Sequence, residues 1–149
     1  MKTLIVVACL SLVSTAAHAA GPLNIINVVV SCRGEDSIGQ RLCVALKKKI
    51  RGDQGLALVE EAEAEASPRG FGVHLISEDP ANPNSAQAGS TAAVAIVFTI
   101  PRKQQIDGFI SAGIIMCGAK NVDEAASGIL ARIDTTSAPL RKLPSTPAP

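Results

Sequence analysis

The stretch IINVVVSCRGEDSIGQRLCVALKKKI, residues 25–50, decides the fold. Ile25 to Ser31 is dominated by Ile and Val, with Asn27 the one polar interruption, which predicts a strand covered on both faces. Arg33-Gly34-Glu35-Asp36 follows as a loop. Ser37 and Gln40 then stand three apart in the spacing of a capping box, so a helix is expected from Ser37 to about Ile50. Gly39, Leu42, Cys43, Leu46 and Ile50 recur at three- and four-residue steps, while Arg41, Lys47, Lys48 and Arg51 fall off that stripe. The last of these cations lie where they suit the helix dipole, and Gly52-Asp53-Gln54-Gly55 ends the element.

Downstream, Leu56-Ala57-Leu58-Val59 reads as a second strand, and the alternation in Glu60-Glu61-Ala62-Glu63-Ala64-Glu65 extends it with one wet, acidic face. Glu and Ala are better helix formers than strand formers, which opposes that reading of the acidic tail. Ser67-Pro68-Arg69-Gly70 is a turn and Phe71 to Ser77 a third strand, so these two strands are expected to pair as a hairpin. Glu78 to Ser90, with Pro80 and Pro83, is a long loop. Thr91 to Ile100 and Ile106 or Asp107 to Cys117 are two further apolar strands. Asn121 caps a second helix with Glu124 three residues on, and Val122, Ala125, Ala126, Ile129 and Ile133 form its apolar stripe. The order β-α-β-β-β-β-α predicts an α/β (α+β) two-layer sandwich, a mixed sheet of four or five strands with both helices on one face.

Composition sets the surroundings of that domain. Met1-Lys2-Thr3, the apolar run Leu4 to Val13 and the small residues Ser14 to Ala19 form the three regions of a secretory signal peptide. The apolar run is too short to cross a bilayer, and no later stretch is long enough either. The expected division is a signal peptide at 1–20, one α/β domain at 21–134 and a disordered tail rich in Pro, Ser, Thr and Ala at 135–149. Once Lys2 is removed, the 13 acidic residues are balanced by an equal number of Lys and Arg, which argues against a nucleic-acid partner. The absence of Trp and Tyr likewise removes support for base stacking and aromatic ligand cages. A periplasmic or secreted location follows from the signal.

Three cysteines remain after the signal, and outside the cytoplasm they are expected to pair. Cys43 on the helix stripe and Cys117 at a strand end are the preferred pair, with Cys32 left over and competing for either. His74 is the only histidine beyond the signal, so a Cys- or Ser-dependent hydrolase would need it as base, with Cys32 as the exposed nucleophile and Asp36, Glu78 or Asp79 to orient it. No Gly-x-Ser-x-Gly elbow is present, and a strand histidine is more often hydrogen-bonded than catalytic. Arg51-Gly52-Asp53 is the tripeptide of adhesive loops, but also an ordinary helix stop. The Cys and His spacings match no zinc pattern and the glycines no phosphate loop, so neither a metal nor a cofactor is expected.

Ile38-Gly39-Gln40-Arg41-Leu42 to Leu46, followed by Leu56-Ala57-Leu58-Val59, resembles the helix and next strand of small α/β modules of the bacterial cell envelope. These include the TolB amino-terminal domain and the curli-secretion and penicillin-binding-protein activator lipoproteins. The resemblance covers about a quarter of the chain, and this chain lacks an acylated cysteine after its signal and any propeller domain. It implies a non-catalytic protein that docks an envelope or extracellular protein partner. Processing is checked by intact mass: the exported protein should begin at Ala20 or Gly21, and a retained Met1 or a lipid on Cys9 would contradict the address.

Overall fold

The computed structural model describes residues 24–34, 36–78, 91–102 and 107–143. The signal segment, most of the Glu78–Ser90 loop and the end of the tail therefore lie outside the described residues. The elements are β1 (Ile26–Arg33), α1 (Ser37–Gly52), β2 (Leu56–Leu58), α2 (Glu61–Ala66), β3 (Gly70–Glu78), β4 (Thr91–Ile100), β5 (Gly108–Gly118) and α3 (Val122–Ser137), with a 3-10 turn at Ala138–Lys142. They form an α/β fold around one five-stranded mixed sheet in the order β2-β1-β3-β4-β5. β1 is parallel to both β2 and β3, whereas β3-β4 and β4-β5 are antiparallel.

Alternation along each strand divides the sheet into two unlike faces. Ile26, Val28 and Val30 of β1, Phe71, Val73 and Leu75 of β3, and Ala92, Val94, Ile96 and Phe98 of β4 are buried on one of them. Leu42, Leu46 and Ile50 of α1 and Ala126, Ile129 and Ile133 of α3 complete that core. Phe71 and Phe98 meet at its centre with ring centroids 5.6 Å apart. Each ring is wholly buried, worth about 1.5–3 kcal/mol on burial alone. α1 is tied to α3 at the rim, where Lys49 Nζ lies 3.0 Å from an Asp123 carboxylate oxygen, and to the turn before α3, where Arg41 donates to the Ala119 carbonyl at 3.1 Å.

Several expectations are corrected. Glu61–Ala66 is a helix, because the propensities of Glu and Ala outweigh the alternation and the first-turn carboxylates of Glu61 and Glu63 suit the positive helix end. The β2-β3 hairpin is absent: both strands pair with β1 from opposite sides, and α2 supplies the crossover between them. Phe71 faces the core, so its neighbour Gly70 faces the other side of the sheet, where a Cβ would run into the Ala64 carbonyl. Hence α2 sits on the face opposite α1 and α3, over one corner only. Strand β1 is fully covered on one face alone, since Asn27, Val29 and Ser31 are half-buried.

The tail boundary also moves. α3 runs to Ser137, and Arg141 in the following turn lies 2.6 Å from Asp134, while Arg69 donates to the Leu143 carbonyl. These contacts order residues 135–143, which the composition alone assigned to a disordered tail. At the other helix the cap is Asp36, one residue before the expected Ser37, and its Oδ1 accepts from the Gly39 amide at 2.6 Å. The loop can reach that cap because Gly34 takes φ +137°, a conformation closed to most side chains. Asp36→Ala should cost about 1 kcal/mol of stability, read from chemical unfolding, because it removes the cap of α1, whose Leu42, Leu46 and Ile50 lie in the core.

Candidate functional site

The cysteines pair differently from the sequence expectation. Cys32 and Cys43 form the disulfide, with Cα atoms 6.2 Å apart, and Cys117 is free and buried. Cys32 at the end of β1 and Cys43 on α1 meet across one tight strand-to-helix connection, and β3 and β4 keep Cys32 away from Cys117. An 11-residue separation is enough for a loop-entropy stabilisation of about 3 kcal/mol. Burial pushes the Cys117 thiol above its ordinary pKa, with Arg41 pulling it down and Asp36 adding to the rise.

His74 lies on the face away from α1. Parity in β1 places its cross-strand neighbour Ser31 on that face and Cys32 on the other, where the sulfur is bonded to Cys43. The expected Cys32-His74 dyad is thus split by the sheet itself. His74 instead meets Thr99 of β4, Nε2 to Oγ1 at 3.0 Å, and Thr99 donates onward to an Asp107 oxygen at 3.2 Å. Asp107 also accepts from the Arg102 amide at 3.4 Å, which anchors the start of β5. His74 Nε2 also lies 3.7 Å from the same Asp107 carboxylate, so imidazole, hydroxyl and carboxylate converge on one corner of the sheet. Thr99 is itself only 7% exposed. The cluster fixes the β3-β4-β5 corner, and neither Asp36 nor Glu78 joins it.

Arg51 and Gly52 lie in the last turn of α1, and Asp53 caps it. One Asp53 carboxylate oxygen accepts from the Gly55 amide at 2.7 Å, so it is occupied within the turn. Between α1 and α3 runs a groove of about 750 Å³ lined by Arg41, Lys48, Lys49, Val44 and Asp123. Two of its cations are already engaged, Lys49 with Asp123 of α3 and Arg41 with the Ala119 carbonyl in the turn before it.

What the sequence reading missed is the remainder of the second face. Cross-strand rows there run Ile76-Ala95-Ile114, His74-Val97-Ala112 and Glu78-Ala93-Met116. Ile114 is 76% exposed, Phe109 69% and Met116 65%, and all three belong to β5. β5 is also the end of the sheet, so among the described residues nothing pairs with its outer backbone edge. The eleven residues GFISAGIIMCG contain no charge and no Pro. Natural edges are usually blunted by such residues, and a long bare one is a template for strand addition. The legible signal was an uncharged run, but its large residues do not simply alternate: a register shift opposite Phe98 and Thr99 brings Phe109 onto the same face as Ile114 and Met116.

No protein-family model matches the chain, and comparison with curated proteins finds no match. The cysteine chemistry is directly testable. Non-reducing peptide mapping should link Cys32 to Cys43, and Cys117 should resist iodoacetamide in the native protein but react fully on unfolding. Rapid native labelling of Cys117, or a Cys43–Cys117 peptide, would contradict this arrangement.

Proposed function

We propose that the chain is a non-catalytic protein-interaction module of the cell envelope or extracellular space, which docks through the open β3-β4-β5 face and its free edge. The observation that carries this reading is β5: an uncharged edge strand of 11 residues with Phe109, Ile114 and Met116 displayed to solvent. Scattered surface apolars are ordinary, but three large ones on one strand with an open backbone edge mark a binding surface. The Cys32–Cys43 bridge fits an oxidising compartment. No helix among the described residues is long and apolar enough to cross a membrane. The resemblance to small envelope modules that act by docking points the same way.

The competing readings are a hydrolase that uses His74 and an adhesive protein that uses Arg51-Gly52-Asp53. A photo-crosslinking side chain placed at Ile114, and separately at exposed Glu61 on the distant α2, separates surface docking from both. Adducts in the native compartment should form from position 114 and not from 61, and His74→Ala should leave them unchanged. Equal adducts from both positions would contradict the reading. So would an activity that falls about a hundredfold or more with His74→Ala while circular dichroism stays native.

A further inference from the structure

The docking reading leaves the occupant of the edge open, and three features of β5 and its surroundings bear on it. First, no Asp, Glu, Lys, Arg or His lies between Gly108 and Gly118. In an antiparallel pair of identical strands each charge risks meeting its like, and a strand without charge escapes that penalty in every register. Second, a groove of about 430 Å³ runs beside the edge between β5 and α3, with Ile115, Ile129 and Gly128 in its lining.

Third, the groove has opposite charges at its two ends. α3 returns along β5 from Asn121, whose amide bonds the Gly118 carbonyl, to Arg132, whose guanidinium covers Gly113. Glu124 lines the groove near the first end and Arg132 the second. Eight helical residues, about 12 Å, keep them from meeting each other. Neither forms an ion pair among the described residues. The Arg132 guanidinium lies instead 5.3 Å over the Phe98 ring. An occupant that reverses the order of charges would satisfy both.

We propose that this occupant is a second copy of the chain, its β5 antiparallel to the first and related by a two-fold axis normal to the sheet near Ile115. The inference rests on the docking reading and names its partner. The rotation carries Glu124 of the partner subunit to Arg132 and Arg132 of the partner subunit to Glu124, so one two-fold operation satisfies both charges reciprocally. It sets Ile114 beside Met116 of the partner subunit and joins the two sheets into one.

Sedimentation of the mature chain over the micromolar range tests it. The wild type should form a concentration-dependent dimer, and Ile114→Lys should raise its dissociation constant about tenfold or more by placing two cations near one another across the axis. Because Ile114 is largely exposed, its circular dichroism should stay native. Arg132→Glu and Glu124→Arg should each weaken the dimer several-fold, and the double reversal should restore it. A monomeric wild type, a dimer indifferent to Ile114→Lys, or a double reversal no tighter than the single ones would overturn the proposal. A monomeric wild type that still cross-links to another protein from position 114 discards self-pairing and retains the docking reading.

Discussion

Parallel pairing of β1 on both of its sides is the constraint from which the rest of the architecture follows. A parallel neighbour cannot be reached by a tight turn, so the chain must cross over once to place β2 and again, past β1, to place β3. The second crossover runs in the opposite lateral direction. With the same handedness for both, their helices fall on opposite faces, which is where α1 and α2 lie. Only then does the chain turn antiparallel, and each later strand adds further from β1 until β5 is left at the end.

That route leaves the two faces unequally served. Two helices of 16 residues cover one face, and α2, with six residues, covers a corner of the other. Ala93, Ala95 and Ala112 keep the middle of the exposed face smooth, while Ile76 and Ile114 raise its rim. The His74-Thr99-Asp107 chain satisfies polar groups that would otherwise be left within this apolar field, and it pins the beginning of β5 to β4.

The parts of this fold that were legible in the sequence are those fixed by local periodicity. The α1 stripe, the limits of β4 at Thr91 and Ile100, and the α3 stripe each follow from a hydrophobic repeat read over one element. The parts that were not legible depend on strand order. Whether β2 pairs with β3 is set by β1 lying between them, and the partner of Cys43 by how closely the β1-α1 connection folds back. His74 finds its partner 25 residues away, and Arg69 holds a carbonyl 74 residues away. No short-range pattern announces either contact. α2 was obscured for a different reason, since Glu-Ala alternation obeys a strand period while its residues prefer a helix.

Among the described residues the outer backbone edge of β5 has no pairing strand, and the proposed docking depends on that edge being open. Residue-resolved amide hydrogen exchange across Gly108–Gly118 measures this directly. In dilute protein the amides directed at β4 should be protected and the alternate, outward ones should exchange rapidly, and the outward set should become protected as the edge is filled. Uniform protection of both sets in the dilute monomer would mean that the edge is already satisfied within the chain, and would contradict the account.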